Sequence, residues 1–199
     1  MFFERSLLTA EELGDRRVEA SALNQLGIVL QSQGRYEEAL GYYDRSLMIE
    51  EAIGNTRGRA VSFSNLGNAY FHLGQVDRAF RSYQEGLSIC RRIDDLPGVS
   101  SSLRNLGAVL SQLGRFEDGV RALQESVAIS RCIGDTPSLG YALMSLSLCQ
   151  LSAGNAASAH ETIEEALRLF QRLGIEPPPA AEELRTKLGE TPASNQAVA

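Results

Sequence analysis

Glycine recurs along this chain at a fixed interval of 40 residues, and no other feature of the sequence limits the possible folds as strongly. Four glycines share the interval: Gly34, Gly74, Gly114 and Gly154. A second series has the same interval and is broken once, by an aspartate: Gly14, Gly54, Asp94, Gly134 and Gly174. A fixed period in the range of about 20 to 50 residues is typical of stacked structural repeats. The sequence therefore predicts an array of four repeats.

The pattern within one period predicts two helices. Leu23, Leu26 and Leu30 are spaced by three and four residues, which places them on one face of a helix. Gly34 ends that helix, because glycine tolerates the left-handed conformation that follows a helix C-terminus. A second apolar series at Ala39, Tyr43 and Leu47 predicts the second helix, and the next repeat then begins after a capping residue.

Small residues occupy equivalent places on both predicted helices. On the first helix they are Gly27, Gly67 and Gly107, and on the second they are Ala39, Ala79, Gly119 and Ala159. Glycine inside a helix costs about 1 kcal/mol relative to alanine, so helix propensity does not explain the first series. We expect the glycines to allow close packing between the two helices of each hairpin.

The repeat resembles the tetratricopeptide repeat, in its subgroup with long repeats of about 40 residues. The resemblance lies in residues such as Phe63, Leu66-Gly67, Tyr70, Ala79, Tyr83 and Gly86. The subgroup includes kinesin light chains, G-protein-binding polarity adaptors and bacterial regulators. The resemblance implies an all-α fold, a right-handed α-solenoid (superhelix) of antiparallel helix hairpins, whose first helices line a concave groove. It also implies a non-enzymatic interaction module.

Two features depart from the family pattern. The period is 40 instead of about 34 residues, and the proline expected late in the second helix is replaced by Glu51, Arg91, Arg131 and Gln171. Both helices are therefore expected to be about a turn longer than usual. Repeat four also differs, since Ser147 stands where the earlier repeats have glycine.

The period divides the chain into seven predicted segments. They are the second helix of an incomplete preceding repeat (2–14), repeats one to four (15–54, 55–94, 95–134 and 135–174), a C-terminal capping helix (175–189) and a disordered tail (190–199). In the first segment, residues 2–8 align with residues 42–48, one period later, in the second helix of repeat one. We expect either a fragment of a longer array or a chain that pairs through that end.

A ligand is expected on the exposed stripe of the first helices. The stripe is rich in amides and arginines: Arg17, Asn24, Gln25, Arg57, Asn65, Asn68, His72, Arg104, Asn105 and Gln112. Carboxamides pair with both polar groups of a peptide backbone, and arginines bind carboxylates. An alternative interpretation is that Asn65 and Asn105 brace neighbouring repeats and that the other side chains are only solvated.

Charge and composition exclude several classes of function. A net charge of −6 argues against a general nucleic-acid binder, and no apolar run is long enough to span a membrane. Cys90, Cys132 and Cys149 have no metal-binding spacing, and neither histidine has a ligand nearby in sequence. We expect a cytoplasmic protein with no cofactor, no metal and no catalytic residues.

Three functions fit these observations. The chain can be a scaffold that holds an extended or helical, acidic peptide segment of a partner protein in its groove. It can instead be a regulatory or sensor segment of a larger bacterial signalling protein. The third hypothesis is a structural array that self-associates through the uncovered N-terminal helix.

Overall fold

Ten α-helices make up the part of the chain that the computed structural model describes, residues 2–190. They are α1 (Phe2–Leu13), α2 (Arg16–Ser32), α3 (Tyr36–Ala52), α4 (Thr56–His72), α5 (Val76–Arg92), α6 (Leu96–Gln112), α7 (Phe116–Ile133), α8 (Thr136–Ser152), α9 (Ala156–Leu173) and α10 (Pro179–Glu190). The described residues contain no strand. The all-α prediction is confirmed, while residues 191–199 of the predicted tail lie outside the described residues.

The turns between helices follow the glycine period. Every glycine of the two series has a positive φ, for example +76° at Gly34 and +70° at Gly54, as the sequence predicts for helix C-termini. Asp94, the one substitution in the series, adopts the same conformation at φ 54° and is the only non-glycine to do so in residues 2–190. The turn geometry is therefore kept where the glycine is lost.

Several of the helices have an N-terminal residue whose side chain caps the first turn. Asn55 accepts a hydrogen bond from the backbone N–H of Gly58, and Asp135 accepts one from Ser138 in the same way. Such bonds satisfy backbone donors that lack a partner in the first turn of a helix. Pro137 lies in that first turn of α8, where its missing N–H removes no helical hydrogen bond.

The chain divides into two compact units after Ser102. In the first unit, each helix from α1 to α5 packs against the next, and α2 also touches α4. Tyr43 of α3 is fully buried and packs with Leu66 and Ala69 of α4. Because α2 and α4 are the first helices of successive hairpins, their contact places the predicted ligand-binding faces of these two hairpins side by side.

The second unit begins at Leu103. Its core joins α7, α8 and α9 around the buried side chains of Leu123, Leu143, Ile163 and Phe170. Helix α10 packs on α9, and its buried face carries Ala181, Leu184 and Leu188.

The helical glycines accommodate bulky side chains of the partner helix. A Cβ added at Gly67 would lie 2.5 Å from Cε1 of Tyr83, and one at Gly27 would overlap the Tyr43 ring. At Gly119 the added Cβ would lie 3.1 Å from the carbonyl oxygen of Gly107. The expected close packing is therefore present. The first-helix glycines face a tyrosine ring or, at Gly107, the Leu123 side chain, and the small residue Gly119 of the second helix faces the backbone of Gly107.

Repeat four replaces this glycine with Ser147, which is fully buried. Its hydroxyl donates a 2.6 Å hydrogen bond to the backbone carbonyl of Ala159 on α9. The serine therefore satisfies its polar group across the hairpin, as buried hydroxyls require.

Candidate functional site

Helices α2 and α4, with one residue of α3, line an open pocket of about 270 Å³, which we call the α2–α4 pocket. Its walls come from three helices and one turn: Arg17, Ser21, Asn24, Gln25, Ile28, Glu50, Asn55, Gly58 and Val61. Three of the residues predicted from the sequence, Arg17, Asn24 and Gln25, therefore lie around one concavity. Arg17 and Gln25 are exposed, whereas Asn24 is buried.

Asn65 connects this pocket to the next hairpin. Its side-chain nitrogen donates a 2.9 Å hydrogen bond to the side-chain oxygen of Asn24. Asn65 is half-buried and Asn24 is 8% exposed, so the pair fixes α4 against α2. This contact matches the bracing interpretation for Asn65, which is not itself among the residues that line the pocket.

Glu50, which is not among the site residues predicted from the sequence, contributes a buried carboxylate to the pocket. Glu50 is 5% exposed and ends the core face of α3. Burial raises the pKa of its carboxyl group, while a hydrogen bond with Asn55 and the charge of Arg17 act in the opposite direction. The sequence does show that Glu50 departs from the repeat pattern. The equivalent positions one, two and three periods later hold uncharged residues: Cys90, Ser130 and Phe170.

Arg57 lies at the start of α4, and its side chain is 71% exposed. It approaches the carboxylate of Asp95 at 3.7 Å, and Asp95 in turn caps α6 by accepting a bond from Gly98. An exposed ion pair of this kind contributes at most about 1 kcal/mol. Arg57 therefore remains able to exchange Asp95 for another carboxylate.

Two of the predicted residues contact second helices. Asn68 accepts a 2.6 Å hydrogen bond from the Tyr83 hydroxyl of α5. His72 stacks on the Tyr36 ring of α3, with ring centroids 4.8 Å apart and an interplanar angle of 11°. The structure therefore does not bring Asn68 and His72 to the α2–α4 pocket.

The remaining predicted residues, Arg104, Asn105 and Gln112, lie on α6 within the second unit. Arg104 and Asn105 are half-buried and Gln112 is exposed.

Other kinds of site have less support among the described residues. Within residues 2–190, no group of three or more histidine, cysteine or acidic side chains is placed to hold a metal ion. Burial raises the pKa of the Cys90 and Cys149 thiols, which lowers their reactivity. None of the described helices combines the length and apolar character needed to cross a membrane.

Comparison with known proteins identifies the repeat. The family model described as tetratricopeptide repeat matches residues 1–52 and 58–131, more than half of the chain. A search of curated proteins found no significant match. The chain belongs to the tetratricopeptide repeat family, whose members are generally protein–protein interaction modules without enzymatic activity.

Solved structures share the fold. BtubC (BKLC) from P. vanneervenii is 22% identical over 89% of this chain and 74% of its own, with a TM-score of 0.77. A putative kinesin light chain with nearly identical TPR-like repeats from Podospora anserina is 19% identical, with 84% of each chain covered and a TM-score of 0.69. Aspartyl phosphate phosphatase F from Bacillus subtilis is 17% identical over 87% of this chain and 45% of its own, with a TM-score of 0.79. These likenesses support the helical-repeat solenoid fold class predicted from the sequence.

Proposed function

We propose that this chain binds a partner protein by holding an extended or helical, acidic peptide segment against the inner faces of its first helices, without enzymatic activity. The observation that carries this proposal is the α2–α4 pocket, where Arg17 and Gln25 are exposed beside a groove-like concavity of about 270 Å³. The family is one of interaction modules, which supports a protein partner.

The charges around the pocket favour acidic residues in the peptide. Arg17 and Arg57 are exposed on successive first helices, and guanidinium groups bind carboxylates through charge-assisted hydrogen bonds. Gln25 supplies a donor and an acceptor that suit the backbone of an extended peptide. Arg104, Asn105 and Gln112 would serve the same purpose on α6.

Selection of peptides from a random library on the immobilised chain tests the proposal. We expect the bound peptides to be enriched in aspartate and glutamate relative to the input library. A library that shows no enrichment, or enrichment in peptides without acidic residues, would contradict the proposed specificity.

A second candidate function is self-association through α1. Leu13 and Val18 are 77% and 42% exposed, and both line an apolar concavity of about 370 Å³ between α1 and α2. Light scattering after size exclusion at several concentrations separates the candidates. A mass that stays at one chain throughout removes self-association and leaves peptide binding in place.

A further inference from the structure

Glu50, in the lining of the α2–α4 pocket, has a carboxylate oxygen that no group in residues 2–190 satisfies. Oε2 of Glu50 has no hydrogen-bond partner among the described residues and is itself covered from solvent. Glu50 nevertheless lines the pocket, together with Arg17, Asn24 and Gly58. A buried carboxylate oxygen without a donor destabilises a protein unless another group supplies the missing bond.

The surrounding residues are arranged to admit this carboxylate. A Cβ added at Gly58 would overlap the carboxyl carbon and both oxygens of Glu50, so only glycine leaves room for the group there. One period later, Gly98 packs in the same way on Cys90, which has no charge to place. The combination of an acid and a facing glycine is therefore particular to the α3–α4 pair in the first unit.

The charge of Glu50 is only partly compensated within the protein. Asn55 gives it a hydrogen bond and Arg17 acts on it through its charge, but the Arg17 side chain is exposed at the rim of the pocket. Ile28 and Val61 contribute apolar side chains to the lining of the same pocket. An aliphatic stem that ends in a cation matches both parts of this surface, since lysine and arginine bury their methylene groups against apolar side chains.

We propose that the α2–α4 pocket is a subsite for one lysine or arginine side chain of the bound peptide, whose terminal N–H donates to Oε2 of Glu50. The inference rests on the proposed peptide-binding function and adds a basic residue to the acidic segment. Oε2 is covered in the structure, so binding requires rotation about the Glu50 side-chain bonds toward the pocket.

Nuclear magnetic resonance titration of the whole chain tests this subsite with small probes. Nα-acetyl-arginine amide is compared with Nα-acetyl-citrulline amide, which has nearly the same shape but no charge. We expect saturable shifts of the Glu50 carboxyl carbon and the Gly58 amide with the arginine probe, and binding at least about tenfold weaker with citrulline. Equal binding of the two probes, or no saturable shift with arginine, would overturn the inference.

Two variants complete the test. Glu50→Gln keeps the shape of the side chain and should weaken arginine-probe binding by at least about tenfold. Glu51→Gln is the matched control, because Glu51 is exposed and pairs with Arg59 at 3.1 Å on the surface, and it should bind like the unchanged chain. Undiminished binding by folded Glu50→Gln contradicts the subsite.

The subsite and the proposed function fail in distinguishable ways. Peptides that bind the groove without any preference for a basic residue, and equally well in Glu50→Gln, would remove the subsite and leave the function. Arginine-probe binding at Glu50 in a chain that selects no peptide would retain the subsite and remove the function.

Discussion

The side chain of Asn65 donates a 2.9 Å hydrogen bond to Oδ1 of Asn24, and this bond joins the first helices of two successive hairpins. The two asparagines are 41 residues apart, one more than the repeat period. Asn24 is buried, so its amide oxygen depends on this donor. The contact therefore stabilises the wall on which a peptide would lie.

Removal of either asparagine should destabilise the first unit. Asn65→Ala leaves the buried oxygen of Asn24 without a donor, and we expect a loss of about 1–2 kcal/mol in the free energy of unfolding. The double variant with Asn24→Ala should lose less than the sum of the single variants, by roughly 0.5–1.5 kcal/mol. Urea denaturation of the four proteins measures the coupling, and strictly additive losses would show that the bond does not contribute.

Gly67→Ala should destabilise the chain although alanine is the better helix former. The added Cβ would lie 2.5 Å from Cε1 of Tyr83, and the Tyr83 hydroxyl is held by Asn68 at 2.6 Å. We expect a net loss of about 1–3 kcal/mol. Thermal or urea unfolding checks the value, and an alanine variant as stable as the original would contradict the close packing.

Gly41→Ala is the matched control for that substitution. Gly41 lies inside α3 with no heavy atom within 4 Å of an added Cβ. Here alanine should stabilise the chain by about 0.5–1 kcal/mol through helix propensity alone. Opposite signs for the two glycines would separate packing from propensity in a single experiment.

The sequence predicted the repeat, the turns and the first-helix glycines because each follows from spacing alone. A fixed period indicates where the same backbone conformation recurs, such as the left-handed turns at Gly34 and Gly54.

The candidate site was only partly predicted. Helical phase correctly placed Arg17, Asn24 and Gln25 on one face of α2. In contrast, Asn68 is hydrogen-bonded to Tyr83, and His72 is stacked on Tyr36. Those contacts depend on rotamers and on ring positions in neighbouring helices, which a period does not specify.

Glu50 is a pocket residue that the repeat period did not predict. In the sequence it is an acid at a position otherwise held by small or apolar residues. Its buried environment, however, depends on the room that Gly58 leaves across the turn. A charged residue at one end of a helix is usually solvated, so the sequence alone favours the wrong environment.

Asp94→Gly should stabilise the chain. Asp94 has φ 54° where the other repeats place glycine, and glycine removes the steric cost of that conformation. We expect a gain of roughly 0.5–1 kcal/mol, since the greater freedom of unfolded glycine offsets part of it. The reverse substitution Gly54→Asp is the control and should lower the free energy of unfolding. A loss of stability in Asp94→Gly would contradict the account of the turn.

The stability difference between the unchanged chain and Glu50→Gln should depend on pH. Burial raises the pKa of Glu50 in the folded state above its ordinary value of 4.5. The folded state therefore binds the proton more tightly, and this contribution to stability is complete below pH 4.5 and is lost as the pH rises through the folded pKa.

We accordingly expect Glu50→Gln to be most favourable, relative to the unchanged chain, at neutral pH. The advantage should shrink as the pH falls. Urea denaturation of both proteins at several pH values gives the difference directly, and the subtraction removes the contribution of other acids. A constant difference, or one that grows toward low pH, would contradict the buried environment of Glu50.

The central claim is that the inner faces of the first helices hold an acidic peptide. Its most direct test is the affinity of a library-selected peptide for Arg17→Glu/Arg57→Glu, compared with the control Arg45→Glu/Arg121→Glu. The control reverses two arginines on second helices that pair with Glu11 and Asp118, so both variants carry the same net charge. We predict that fluorescence anisotropy shows at least about tenfold weaker binding for the first variant and near-unchanged binding for the control. Equal affinity for both variants would contradict the proposed groove.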